Sequence, residues 1–167
     1  MRSAKLFPLI LTLIVSAVVT ANAQSREKTI ILVRHAEKID DSADPDLSPA
    51  GRERAERLVR AIGKFRPGAF FATNFKRTRD TLAPLAAKRS KQIEIYDPRQ
   101  PQTLVDQIMK SSIKRFIVSG HSNTIPSLAN LITKKELFKN LSDSEYSVIW
   151  LIKMKQGKVT KFELLEY

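Results

Sequence analysis

The chain of 167 residues contains no cysteine. That absence excludes a disulfide framework, a thiolate nucleophile, an iron–sulfur cluster and any cysteine-ligated zinc. Histidine is nearly as scarce: His35 and His121 are the only two, too few for a metal site built on several imidazoles. No repeat, linker or low-complexity stretch divides the chain. Acidic residues are the minority charge, 17 Asp and Glu against 29 Lys and Arg, for a formal charge of +12. At 43% hydrophobic and 28% charged residues, the composition is that of a soluble globular chain of about one domain.

A long hydrophobic run is also missing. The apolar stretch from Leu6 to Val19 is interrupted by Pro8, Thr12 and Ser16 and falls short of the roughly 20 residues a membrane span needs. With Arg2 and Lys5 before it and Ala21-Asn22-Ala23 after it, the segment reads as a cleaved secretory signal peptide over residues 1–23. No cysteine follows the run, so a lipoprotein anchor is excluded. Losing Arg2 and Lys5 lowers +12 to +10, and the mature chain, residues 24–167, is expected to be one domain working in the periplasm or outside the cell.

A charge of that size suits nucleic acid, an anionic membrane surface or phosphorylated substrates. Nucleic acid is the poor fit, because the basic residues are scattered and neither a zinc finger nor an aromatic RNA-binding signature is present. Peripheral contact with an anionic membrane surface stays open, as does the oligomeric state.

Along the mature chain, apolar runs alternate with helical patterns. Thr29–Val33, Ala69–Ala72, Ile93–Tyr96 and Phe116–Val118 read as strands. Ser48-Pro49 opens an amphipathic helix with Ala55, Leu58, Val59 and Ile62 on its inner face. Further helices are predicted from about Thr78 to Arg89, where Pro84 should impose a kink or an early stop, from Gln102 to Ser111, and from Thr124 to Ile132. Ser147–Ile152 and Val159–Leu165 flank Gln156-Gly157 as a terminal β-hairpin. The alternation predicts an α/β fold: a mainly parallel sheet with helices on both faces and the hairpin added antiparallel.

Each histidine lies just past the carboxyl end of a buried strand, in Leu32-Val33-Arg34-His35 and in Ile117-Val118-Ser119-Gly120-His121. Ligands bind at that edge of open parallel sheets. If the two strands are neighbours, both rings share one pocket, with His35 expected in a solvent-facing loop.

Four segments, in order, carry a resemblance. Val33-Arg34-His35-Ala36-Glu37 resembles the RHG-type signature of the histidine phosphatase superfamily, the phosphoglycerate-mutase-like proteins, with Ala36 in the place of the glycine. Leu47-Ser48-Pro49-Ala50-Gly51-Arg52 resembles that family's L-[ST]-x-x-G segment, Thr73–Thr81 its S-x-L-x-R-[AT]-x-x-T segment, and Gly120-His121-Ser122-Asn123 its second-histidine motif. The resemblance implies a phosphoglycerate-mutase-like fold and a phosphatase that needs neither metal nor other cofactor. His35 would be the nucleophile forming a phosphohistidine, and Arg34, Arg77 and His121 would bind the phosphoryl oxygens.

Physical chemistry makes the same roles reasonable. A phosphate monoester dianion repels a nucleophile unless guanidinium forks and a protonated imidazole take up its charge. Arg79 is read as solvent-facing. Asn123 either bonds the substrate or N-caps the following helix.

The general acid is less well marked. Relatives supply a Glu after the third strand, or, in the acid-phosphatase branch, an Asp directly after the second histidine, where this chain has Ser122. Two candidates follow: Asp97, just past the third strand, and Glu37, two residues beyond the nucleophile. The mature chain has no room for a large cap, so an open site points to a bulky substrate such as a phosphorylated glycan or lipopolysaccharide sugar rather than an enclosed small molecule. The alternatives are a non-catalytic phosphate-binding protein, a phosphohistidine phosphatase or a mutase.

Overall fold

A computed structural model describes residues 27–167; the leader read over residues 1–23 lies outside them. Six strands form one sheet: β1 (Glu27–Arg34), β2 (Ala69–Ala72), β3 (Ile93–Ile95), β4 (Arg115–Gly120), β5 (Val148–Lys155) and β6 (Lys158–Glu166). Four helices connect them: α1 (Pro49–Ile62), α2 (Lys76–Lys88), α3 (Pro101–Lys110) and α4 (Thr124–Thr133). The strand order is β3-β2-β4-β1-β5-β6, with the first four parallel and the β5–β6 hairpin antiparallel, as the sequence pattern predicts.

The centre of the sheet is dry on both faces. Ile30, Ile31, Leu32 and Val33 of β1 are completely buried, and because side chains alternate along a strand they feed two separate cores. Ile30 and Leu32 join Phe116, Val118 and the inner faces of α3 and α4, while Ile31 and Val33 join Phe70, Ile117 and the inner faces of α1 and α2. A continuous apolar run is therefore required over Ile30–Val33, since none of these four positions faces water.

Helix α1 starts as expected. Ser48 accepts the Gly51 N–H through its hydroxyl at 3.0 Å, and Pro49 takes the first helical position, where its missing N–H costs nothing. Helix α2 departs from expectation. It begins two residues early, at Lys76, and continues through Pro84 to Lys88. Its own N-cap position is Phe75, which offers no acceptor; Asp44 supplies one from another loop, taking the Lys76 N–H at 2.8 Å. Pro84 removes one hydrogen bond, toward the carbonyl of solvent-exposed Asp80, while Leu82, Leu85 and Ala86 hold the same turns against the sheet, so packing outweighs the loss. Strand β3 ends one residue early, Tyr96 continuing only as a backbone bond to the Ala72 carbonyl.

The register of β1 on β4 positions the chemistry. Arg34 lies opposite Gly120, so the next residues, His35 and His121, leave adjacent strands at the same edge. Gly120 must be small there, because a Cβ would stand 2.7 Å from the Thr124 hydroxyl and 2.9 Å from that of Tyr96. Gly51 is tighter still: its Cβ would stand 2.1 Å from the carbonyl oxygen of Glu37. That oxygen already accepts the Ser48 N–H at 2.9 Å, so the start of α1 is pressed against the segment carrying His35. Gly51→Ala should therefore cost about 1–3 kcal/mol of stability, read as a lower urea midpoint at unchanged slope, by displacing residues 35–37.

Candidate active site

His35 is buried, with 5% of its surface exposed, not set in a solvent-facing loop. Its backbone N–H is tied to the Gly120 carbonyl at 2.9 Å, and His121 and Tyr146 close over its ring, with centroids at 5.4 and 6.0 Å. Nδ1 of His35 lies 2.8 Å from the carbonyl oxygen of Ala36. A carbonyl can only accept, so Nδ1 holds the proton and Nε2 keeps its lone pair. Burial lowers the pKa of the ring to about 3, helped by the charges of Arg34 and Arg77 and by His121, against the raising effect of the Ala36 bond. The ring is a neutral base with one defined free nitrogen throughout the physiological range.

The support for that bond is itself fixed. The N–H of Ala36 donates to the Thr81 hydroxyl at 2.8 Å, and that hydroxyl donates to the Arg77 carbonyl at 2.7 Å, joining the segment that carries His35 to α2. The methyl group that Ala36 carries in place of glycine is accommodated in a small dry cluster with Leu47 and Ala55.

His121 is held from both sides. Its N–H donates to the Thr124 hydroxyl at 2.8 Å, and its Nε2 lies 2.9 Å from the Thr73 hydroxyl. Thr78 spends its own hydroxyl proton on the carbonyls of Thr73 or Phe75, so the Thr73–Thr78 contact is satisfied when Thr73 donates and Nε2 of His121 donates to Thr73. Burial first, then Arg77 and Arg34, lower its pKa to about 4. The protonated imidazole expected here is therefore a neutral one, because desolvation beside two guanidinium groups opposes a further positive charge.

Arg34 is 4% exposed and lies over the Tyr146 ring, 4.1 Å from its centroid. Its Nη1 donates to the carbonyls of Ser142 at 2.7 Å and Glu145 at 3.1 Å, and its Nη2 is 4.0 Å from the Asp143 carboxylate. Nε is buried with no partner among the described residues. Arg77 lies over Phe75, 4.3 Å from the ring centroid, with the Asp44 carboxylate 3.9 Å away.

These four groups line one open cavity of about 720 Å³. The loop from Lys38 to Pro45 forms one rim; Ser122, Asn123 and Asp143 form the other. Asn123 stands at the N-cap position of α4 but makes no side-chain cap bond, leaving its amide on the cavity side.

The two acid candidates are not brought into this lining. Glu37 is gripped by Arg54, whose Nε lies 2.9 Å from both carboxylate oxygens and whose Nη2 lies 2.6 Å from one. Burial pushes the Glu37 pKa up, but the Arg54 hydrogen bonds and charge hold it below the ordinary carboxylate range. Asp97 is clamped by the Arg99 side chain at 3.0 Å and by its N–H at 2.9 Å, which lowers its pKa. Arg79 lies outside the cavity lining and bonds Asn74 at 2.8 Å.

Sequence reasoning gave no role to Tyr146, Thr73, Thr81 or Asp44. Thr81 ends a quoted motif and was there to be found. Tyr146 lies in irregular chain between α4 and β5, where no periodicity marks it. Among the described residues, no group of three or more His, Asp or Glu could hold a metal ion.

A family model described as the histidine phosphatase superfamily (branch 1) matches residues 30–98. No curated protein sequence matches the chain. Among solved structures, a mycobacterial glucosyl-3-phosphoglycerate phosphatase in complex with VO3 is similar at TM-score 0.66 and 10% identity, over 84% of this chain and 98% of that one. An Escherichia coli protein described as an α-ribazole-5′-phosphate phosphatase is similar at TM-score 0.71 and 10% identity, over 84% and 96%. An Entamoeba histolytica phosphoserine phosphatase variant, in complex with phosphoserine, is similar at TM-score 0.63 and 15% identity, over 81% and 96%. At such identities the structural likeness speaks for the fold.

The depressed histidine pKa values carry a stability consequence. An unfolded ring takes up a proton near pH 6.5, while the folded His35 and His121 refuse one until about pH 3 and 4. Stability is thus full above pH 6.5 and falls as the pH drops from there towards 4, by roughly 1.4 kcal/mol per histidine for each pH unit crossed. Urea midpoints measured from pH 7.5 to 4.5 should show this slope, and His35→Gln/His121→Gln should flatten it.

Proposed function

We propose that this chain belongs to the histidine phosphatase superfamily, whose model matches residues 30–98, and is an exported phosphomonoesterase that works through a phosphohistidine on His35. The observation that carries this reading is the free Nε2 of a neutral, buried His35 on a cavity shared with Arg34, Arg77 and His121. A phosphate dianion entering the cavity meets two guanidinium groups in a desolvated setting, where their charge is felt far more than in water. His35 Nε2 attacks phosphorus, the P–O ester bond breaks, and the alkoxide or phenolate leaves into the open cavity, where it takes a proton from solvent water. A water molecule then attacks phosphorus, the P–N bond breaks with its electron pair returning to Nε2, and inorganic phosphate leaves with the water's oxygen, one of that water's protons replacing the one drawn from solvent. Two half-reactions replace one difficult displacement.

No step needs a metal ion, so chelator should leave turnover unchanged. Export rests on the pattern of residues 1–23, and a purified chain beginning at Gln24 would bear it out. The broad cavity and open rim favour a phosphate carried on a bulky body, such as a phosphorylated glycan or lipopolysaccharide sugar.

One observation favours a second reading, a phosphate-binding protein without turnover: neither Asp97 nor Glu37 reaches the cavity to protonate a leaving group. Phosphate release from p-nitrophenyl phosphate and from an alkyl phosphate separates the two. A catalyst hydrolyses the first readily because p-nitrophenolate leaves without protonation; a binder hydrolyses neither.

His35→Ala should lower kcat by at least about a thousandfold with the fold intact, and rapid quench of the wild type should trap an acid-labile, base-stable phosphoenzyme that the variant lacks. Vanadate, which adopts five-coordinate geometry, should inhibit. Arg77→Lys should cost about a hundredfold in kcat/KM through loss of the planar fork, whereas Arg79→Lys should stay within about twofold. Equal losses at the two positions would misplace the pocket boundary.

A further inference from the structure

At the end of the sheet remote from both histidines lies a second concavity, of about 510 Å³, between the end of α4 and the β5–β6 turn. Its floor is apolar, formed by Ile132, Val159 and Phe162, and its rim carries Lys134, Lys135 and Lys158. Leu137 stands on the lip with 60% of its surface exposed. That exposure is built in. The buried amide of Asn130 accepts the N–H groups of Leu137 and Phe138 at 3.0 and 2.9 Å and donates to the Phe138 carbonyl at 2.9 Å, locking the loop that presents Leu137. Among the described residues, none of the three lysines has a carboxylate within ion-pair distance, and the neighbouring Glu136 lies 3.4 Å from the Asn130 amide.

The location matters as much as the chemistry. Glu27 pairs with Lys155 beside this groove, while Val33 pairs with Ile149 beside the histidines, so β1 separates the two ends by roughly 20 Å. The described chain therefore enters the fold at the groove's end. An exposed apolar surface rimmed by lysines is complementary to an interface that is anionic outside and apolar beneath.

We propose that this groove and lip are a docking face for an anionic phospholipid bilayer. Lys134, Lys135 and Lys158 meet headgroup phosphates while Leu137 dips towards the acyl boundary, which leaves the catalytic cavity turned to solution, open to a bulky phosphorylated substrate.

The absence of cysteine makes the test local. Leu137→Cys in the mature chain beginning at Gln24, labelled with an environment-sensitive fluorophore, is titrated with vesicles of one part phosphatidylglycerol to three parts phosphatidylcholine, and with phosphatidylcholine alone. Gln102→Cys, at the start of α3 near the catalytic edge, carries the same label as a control. The Leu137 label should brighten at least about twofold with the anionic vesicles, while the neutral vesicles leave it unchanged and the Gln102 label responds to neither. Adding Lys134→Gln, Lys135→Gln and Lys158→Gln should weaken the response about a hundredfold in lipid concentration, about fivefold per lysine. Equal responses to both vesicle types, equal responses at both labels, or an unchanged response in the triple variant would overturn the proposal. So would brightening on raising protein concentration without vesicles, which would assign the groove to a second copy of the chain. Hydrolysis of p-nitrophenyl phosphate by the same triple variant should match wild type, so failure of lipid docking and failure of catalysis are read separately.

Discussion

One hydrogen bond governs the chemistry open to this fold: the donation from Nδ1 of His35 to the carbonyl of Ala36. It decides which ring nitrogen is free, and the burial around it decides that the ring is uncharged. Everything that fixes Ala36 therefore acts on the His35 ring. The β1–β4 register sets where the strand ends, Thr81 holds the Ala36 N–H from α2, and the start of α1 presses on Glu37 through a contact only glycine permits. Three elements from distant parts of the chain converge on one carbonyl orientation.

The electrostatic logic of the cavity follows from the same burial. Two guanidinium groups in a poorly hydrated setting make further positive charge costly, so both imidazoles are held neutral. A dianion reverses that balance: it supplies the missing negative charge, and each cation gains more from it than it would in water. Arg34 is preorganised for this by a strap of carbonyls from residues 142–145 and by the face of Tyr146, so its side chain is ordered before any ligand arrives. The cost of ordering it is met by the fold.

Much of this was legible in the sequence, for identifiable reasons. The dry run Ile30–Val33 could only be a strand buried on both faces, and two such strands ending in histidine placed both rings at one edge once the sheet was parallel. Ser48-Pro49 and Gln156-Gly157 announced a helix start and a hairpin turn by local chemistry alone. What stayed hidden depends on contacts far apart in sequence. Arg54 captures Glu37 from 17 residues away, and the strap reaches Arg34 from 108 residues away. The burial of His35, and so its charge, follows from those contacts and cannot be read from its neighbours in the chain. Pro84 does not stop α2, for the related reason that tertiary packing of Leu82 and Leu85 overrides a local penalty. Asp97 is different: its captor, Arg99, is two residues on, and the Asp-Pro-Arg turn was open to that reading from the start.

The central claim, a neutral His35 with its proton on Nδ1 and its lone pair on Nε2, is directly measurable. Imidazole nitrogen chemical shifts of uniformly ¹⁵N-labelled protein, with His35 assigned by comparison with His35→Gln, should place Nδ1 in the protonated range and Nε2 in the unprotonated range, constant from pH 8 down to 5. A ring that titrates near pH 6.5, or one whose proton resides on Nε2, would contradict the account.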